Sequence, residues 1–201
     1  VPQALTPDFV ETLIERGVPA LAETPPAREP ERLAQLCALA RRKGVPAQTA
    51  EQYIFQPLHA AYLAIIASGK LGRVSQARVA CAHGYHGVSL IRHMLGVEWE
   101  NATITAHAFD SPLIAGRNRV GLPPEEKIAN SKQTLALLDF GDRLGVFDFC
   151  DAQYFSWVRA NRLLVRGERG ELVDRTLYWL PDFRMPMEAE LRRMDAGDYG
   201  N

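Results

Sequence analysis

The sequence changes rhythm at Arg73, and that change constrains the fold more than any other feature. Upstream, helical and strand patterns alternate. Thr6-Pro7-Asp8 starts a helix, with Thr6 as N-cap and Pro7 at the first helical position. Phe9, Val10, Leu13 and Ile14 form its stripe, and Gly17 ends it. Residues 18–23 read as a short buried strand that stops at Glu23-Thr24-Pro25-Pro26. A second helix runs from Glu29 to Lys43, with Leu33, Leu36, Leu39 and Ala40 on one face and Gly44 behind it. Residues 45–53 form the next strand, and Pro57 opens a long helix through Leu58, Ala61, Tyr62, Ile65 and Ile66, closed by Ser68-Gly69. Helix, strand, helix, strand, helix is the order of a parallel sheet with crossover helices. Two strands are too few for an independent doubly wound domain, so further chain is expected upstream.

From Arg73 onward strands dominate. Val74–Cys81 alternates and is rich in β-formers; it runs into Ala-His-Gly-Tyr-His-Gly at 82–87. Val88, Ile91, Met94 and Leu95 then recur at helical spacing, and Gly96 stands at the C-cap. His83 and His86 therefore fall on a strand-to-helix turn, a place where catalytic groups are often held. The structural alternative is a pair of histidines that cap the helix and pack under a loop. Residues 99–109 read as a strand, and 111–131, with Pro112, Gly116, Gly121, Pro123 and Pro124, as a long loop. Residues 134–140 and 144–149 flank Gly141-Asp142-Arg143, a hairpin signal; 162–166 and 171–180 flank Gly167-Glu168-Arg169-Gly170, another. Residues 73–180 are expected to form one mainly antiparallel sheet with the helix after His86 on one face. Leu135, Leu137, Phe147 and Phe149 are expected on the opposite face. The domain boundary falls near residues 51–56, giving segments 1–52 and 53–201, and residues 195–201 bring no closing element.

Composition removes several function classes. The 201 residues are 47% apolar with a net charge of −1, and Lys and Arg are scattered, so no footprint for nucleic acid is present. No apolar run approaches the roughly 20 residues of a membrane span. Cys37, Cys81 and Cys150 are odd in number and far apart, which suits a reducing, cytoplasmic setting. No Gly-x-Gly-x-x-Gly or phosphate loop occurs. His83, His86 and His93 lack the clustered Cys or carboxylate partners of a metal site, so none is expected. Cys81 reads as core, and Asp139, Asp142, Asp148 and Asp151 as hairpin and edge carboxylates.

Several of these pieces resemble the Gfo/Idh/MocA oxidoreductases. Glu23-Thr24-Pro25 is similar to the family's Glu-Lys-Pro at the end of a Rossmann strand. Ala50-Glu51-Gln52-Tyr53 is similar to its Ala-Glu-Asn-Tyr strand, and Ser68-Gly69-Lys70-Leu71-Gly72 to the Ser-Gly-x-Ile-Gly helix end that leads into the second domain. His86-Gly-Val-Ser-Leu-Ile-Arg-His-Met-Leu-Gly96 resembles the His-x-x-Asp-Leu-Leu-Arg-x-Leu-Leu-Gly helix, whose His is the usual catalytic residue. The resemblance covers residues 1 to about 180. It departs at Thr24, where the family has Lys, at Ala82, where it has Asp, and at Ser89, where it again has Asp.

The resemblance implies an α/β protein: a partial Rossmann unit of parallel βα pieces, then an α+β domain with a large, mainly antiparallel sheet. It implies the C-terminal portion of an NAD- or NADP-dependent oxidoreductase acting on a sugar-like or small polyol substrate. His86 would be the acid/base group, with Thr24 as the second catalytic candidate because it holds the Lys position. Glu23, Thr24 and Pro25 would line the nicotinamide pocket. Tyr53, His59, His83 and Tyr85 are the substrate-side candidates. A homo-oligomer through the open sheet face is also implied. The alternative is a non-catalytic relative that keeps the fold for ligand binding or assembly, in keeping with the missing Lys and Asp.

Overall fold

Prolines set the starts of three helices in this computed structural model, which describes residues 2–194. The helix α1 (Thr6–Glu15) continues a 3-10 turn at Gln3–Leu5, so Leu5 is its N-cap and Thr6 its first residue. That corrects the capping role expected of Thr6. Its hydroxyl instead donates back to the Pro2 carbonyl at 3.4 Å, because the 3-10 turn has already satisfied the helix start. The helix α2 (Pro30–Lys43) begins after extended Glu29 and ends on Gly44 in the left-handed conformation (φ 66°).

The chain divides into two compact units between Tyr53 and Ile54. In the first, β1 (Ala20–Ala22) and β2 (Ala47–Thr49) pair in parallel, Ala20 opposite Ala47 and Ala22 opposite Thr49. Each strand is three residues long, shorter than expected, because Pro19 and Pro46 cannot donate to a ladder. Val10, Ile14, Ala22, Ala27, Leu36 and Leu39 are the buried core of this unit.

The second unit starts with α3 (Pro57–Ala67), then β3 (Val74–Ala80) and α4 (Gly84–Leu95). The strands β4 (Thr103–Asp110), β5 (Leu113–Ile114), β6 (Ile128–Ala129), β7 (Lys132–Asp139) and β8 (Leu144–Cys150) follow. Last come β9 (Arg162–Gly167), β10 (Gly170–Val173), β11 (Thr176–Trp179) and β12 (Met187–Glu190). Eight of these strands form one sheet in the order β12-β11-β10-β9-β3-β8-β7-β4. All neighbours are antiparallel except β3 and β8, which run parallel. The molecule is thus an α/β protein with parallel βα units followed by a large, mainly antiparallel sheet.

Four details differ from the sequence expectation. The stretch 111–131 is not structureless: β5 and β6 pair as a short antiparallel clasp. The run 171–180 is two strands, because Asp174 takes a left-handed conformation (φ 51°) and folds β10 back on β11. A further edge strand, β12, lies beyond residue 180. The four apolar residues expected on the open face are split between faces. Ala136 pairs with Phe147 and Leu138 with Gly145, and paired residues share a face. That face carries α4, so Phe147 and Phe149 are buried beneath it, whereas Leu135 and Leu137 lie on the other side and are about 40% exposed. The expectation about residues 195–201 lies outside the described residues.

Candidate active site

The strand β3 runs down the middle of the sheet, and its end delivers Cys81 and Ala82, both buried, to the start of α4. His83 is the N-cap, with extended backbone (φ −75°, ψ 153°), and its carbonyl accepts the N–H groups of His86 at 3.1 Å and Gly87 at 3.3 Å. His86 therefore sits inside the first helical turn rather than in the loop before it. The helix starts at Gly84, where a glycine with φ 39° is tolerated. Gly87 allows the close approach that follows: a Cβ there would lie 2.6 Å from both the Phe147 ring and the Ala82 carbonyl oxygen. With no side chain at 87, the first turn of α4 rests directly on β8, and His86 is only 7% exposed.

An aromatic cluster surrounds this turn. The His83 and His86 rings stand edge to face, 4.9 Å between centroids, and the Tyr85 and His86 rings are 4.4 Å apart. Tyr154 completes it. Its hydroxyl oxygen accepts the His83 backbone N–H at 3.0 Å and lies 2.8 Å from His83 Nδ1, while its ring packs 5.1 Å from Phe149. Tyr154 follows β8, and because β8 runs parallel to β3 the two strands exit at the same end of the sheet. Nothing in the local pattern around residue 154 signals this; only the β3–β8 pairing brings it to His83.

The structure brings His83, Tyr85 and His86 together on one turn. His59, on α3, is buried, with Nε2 3.7 Å from Cys81 Sγ, and so reaches the same strand end from another helix. Burial pushes the Cys81 thiol up to about 12, so no thiolate forms there near neutral pH. In the first unit, Glu23, Thr24 and Pro25 follow β1 at its carboxyl end, where open α/β sheets bind their ligands. The Thr24 N–H donates to the Glu23 carboxylate at 3.3 Å, and the Thr24–Pro25 peptide is cis. The Tyr53 N–H donates to the Glu51 carboxylate at 3.0 Å. Among the described residues, no group of three or more His, Cys, Asp or Glu is arranged to hold a metal ion.

No family model matches the chain. A stretch of 73 residues, 36% of this chain, is 42% identical to myo-inositol dehydrogenase Hyg17 of Streptomyces leeuwenhoekii and matches 22% of that protein. An NAD binding oxidoreductase from Klebsiella pneumoniae superposes with a TM-score of 0.69 at 18% identity, covering 94% of this chain and 59% of that one. An oxidoreductase from Agrobacterium radiobacter in complex with NAD+, L-tartaric acid and magnesium gives 0.65 at 17%, covering 94% and 59%. An inositol dehydrogenase homolog from Azotobacter vinelandii, complexed with NADH and myo-inositol, gives 0.61 at 17%, covering 94% and 54%. The chain thus spans little more than half the length of these solved structures, which were crystallised with NAD+ or NADH in the latter two cases. Its fold is that of NAD-binding oxidoreductases, and the resemblance to the Gfo/Idh/MocA oxidoreductases carried by its motifs holds in its architecture.

Proposed function

We propose that the chain works as the C-terminal portion of an NAD- or NADP-dependent oxidoreductase acting on a carbon of a sugar-like or small polyol substrate. The observation that carries this reading is His86, held in the buried first turn of α4 with His83 and Tyr85 around it. In this reading residues 1–52 belong to the cofactor-binding domain and 53–201 to the substrate domain. The nicotinamide side of the cofactor fits what is present: Glu23, Thr24 and Pro25 sit at the carboxyl end of a parallel strand. The turn that would cradle the pyrophosphate does not occur in this sequence, so these three residues line only part of the site. When bound, the nicotinamide accepts or returns the hydride. His86 takes the hydroxyl proton as the carbonyl forms and returns it in the reverse direction, with His83 and Tyr85 as hydrogen-bonding neighbours for the substrate oxygen. Thr24 can orient a ligand through its hydroxyl but cannot supply the positive charge of a Lys.

Polyol substrates are favoured by the relatives: the curated match is a myo-inositol dehydrogenase, and one structural neighbour holds myo-inositol. Three free cysteines suit a reducing, cytoplasmic location. A homodimer through the open sheet face belongs to the same proposal. The test is His86→Ala in the intact protein, assayed for cofactor reduction with inositol and a panel of sugars. Turnover should fall by roughly 10²–10⁴-fold, the range for one acid/base group, with the fold retained. The second reading, a non-catalytic ligand-binding or assembly module, is favoured by Thr24 and by Ala82, which is fully buried and carries no acid. It takes the lead if His86→Ala unfolds the protein while specific activity of what remains folded is unchanged.

A further inference from the structure

Gln153 is a buried carboxamide in the turn beyond β8, and both ends of its amide are engaged. Oε1 accepts the Cys150 N–H at 3.3 Å. Nε2 donates to the carbonyls of Ala80 and Ala160, the latter at 3.0 Å, with Asn161 Oδ1 3.4 Å away. These partners settle which end of the amide is which. Turned about, it would set an oxygen against two carbonyl oxygens and an NH2 against an N–H donor.

The partners lie on three segments. Ala80 ends β3, Cys150 ends β8, and Ala160 and Asn161 lead into β9. The parallel ladder of β3 and β8 stops at Val79 opposite Phe147, and the Gln153 side chain joins the two strands beyond that point. Ala80 and Cys150 are both buried, so backbone groups released there have little access to water. The same connection reaches the site. His83 follows Ala80 by three residues and is the N-cap of α4, and its carbonyl accepts the His86 N–H. Tyr154, next after Gln153, accepts the His83 N–H at 3.0 Å. The β8–β9 connection thus grips the strand-to-helix turn at two points, Gln153 at Ala80 and Tyr154 at His83.

We infer that Gln153 is a positioning residue: its carboxamide ties the end of β3 to the β8–β9 connection and so fixes the turn that carries His83 and His86. The catalytic meaning of this rests on the proposed acid/base role of His86, since a base must stand within reach of the proton it takes. Gln153 touches no reacting atom in this scheme and acts through the backbone of the turn. The role needs a donor for Ala80 and an acceptor for Cys150 on one side chain of this length. A carboxylate of the same shape supplies only acceptors and regains one donor when protonated, and burial raises the pH at which it takes up that proton.

The experiment compares Gln153→Glu and Gln153→Leu with wild type in the intact protein, on the inositol and sugar panel, below the melting temperature of each variant. At about pH 8, Gln153→Glu should lower kcat roughly tenfold, about the worth of one buried hydrogen bond, with KM little changed. Its kcat relative to wild type at the same pH should recover as the pH is lowered toward about 5, when the carboxyl can donate to Ala80 again. Gln153→Leu has no such proton, and its ratio should stay low and flat. A flat ratio for Gln153→Glu, or wild-type kcat in either variant at about pH 8, overturns the inference. A Gln153→Glu protein unfolded at every pH in the series also overturns it, because the side chain would then serve the fold alone. If Gln153→Leu does not fold, the Gln153→Glu series decides by itself. Backbone amide NMR of the 201-residue chain gives a readout independent of turnover. In Gln153→Glu the His83 and His86 amide signals should shift at about pH 8 and return at about pH 5, while those of Leu172 and Leu177, in β10 and β11, stay in place. Unmoved histidine amides overturn the coupling. Failure of the acid/base reading shows separately, as unaltered turnover in His86→Ala, and leaves the amide measurement to stand or fall alone.

Discussion

Burial decides what Cys81 can do. A cysteine 3.7 Å from a histidine has the composition of a nucleophile pair, yet desolvation dominates here and holds the thiol neutral, up to about 12. The folded state therefore keeps this proton more tightly than the unfolded chain, whose thiol titrates near 9.0. Stability from this group is complete below pH 9 and is lost as pH rises from there toward 12. The buried Tyr62 hydroxyl acts in the same sense: desolvation first, then the nearby Asp174 charge, raises it above its usual value. Thermal unfolding should show a midpoint that declines progressively above about pH 9, and Cys81→Ala should decline less steeply from a lower starting point. Parallel slopes for the two proteins would mean that Cys81 ionises freely in the fold. Reagent accessibility gives the companion expectation: at neutral pH an alkylating agent should modify the exposed Cys37 quickly, and Cys81 and Cys150 only after unfolding.

At the scale of elements, the contact of α4 with the sheet is set by absent side chains. A Cβ at Gly87 would lie 2.6 Å from the Phe147 ring and from the Ala82 backbone oxygen, and one at Gly145 would lie 2.6 Å from Ile91. A methyl at residue 87 gains up to about 1 kcal/mol of helix propensity. The carbonyl it meets is backbone and cannot rotate away, so overpacking of about 1–3 kcal/mol should win. Gly87→Ala should therefore lower the melting temperature by several degrees, at about 2–4 °C per kcal/mol for a chain of this size. It should also reduce turnover in the intact protein, because the strain falls next to His86. An unchanged melting curve would mean that α4 lifts off the sheet at little cost. The ends of α2 and α4 were legible in the sequence because Gly44 and Gly96 take left-handed caps that few other residues adopt. The break at Asp174 was not, since a β-rich run continues on both sides and a non-glycine residue makes the turn. Alternation showed which residues of β7 and β8 share a face within each strand. Only the register, Ala136 opposite Phe147, shows that Leu135 and Leu137 face away from Phe147 and Phe149. Of the candidate cluster, His83, Tyr85 and His86 were readable from one local segment. Tyr154 was not, because it arrives through a parallel strand pair about 70 residues apart in sequence.

At the scale of the whole molecule, the cofactor side and the open sheet face each set an expectation. The first unit offers two parallel strands and no Gly-x-Gly-x-x-Gly, so the 201-residue chain should show no micromolar binding of NAD or NADP by titration calorimetry. Binding at that level would mean a cofactor site built differently from that of the Gfo/Idh/MocA oxidoreductases. The second feature is the open face of the eight-stranded sheet. One face is covered by α4; the other carries Leu135, Leu137, Val146 and Leu164, interleaved with the Arg78–Asp148 and Arg166–Glu171 pairs. Gln133 donates to the other oxygen of Asp148 at 2.7 Å, so the charged groups in the patch are matched within one copy. Such a surface can lie against a second copy of itself without leaving a charge unpaired, as a two-fold interface requires. Leu135 and Leu137 pair with Asp148 and Val146 at the middle of β7 and are already about 40% exposed, so replacing them removes no core contact. The proposed homodimer should therefore sediment at twice the chain mass. Leu135→Lys combined with Leu137→Lys should shift it to monomer, with a melting curve still showing a folded protein, because four lysines would meet across the two-fold axis. A wild-type protein that stays monomeric at high concentration, or a double variant that still dimerises, would remove this face from the proposal and leave the His86 site untouched.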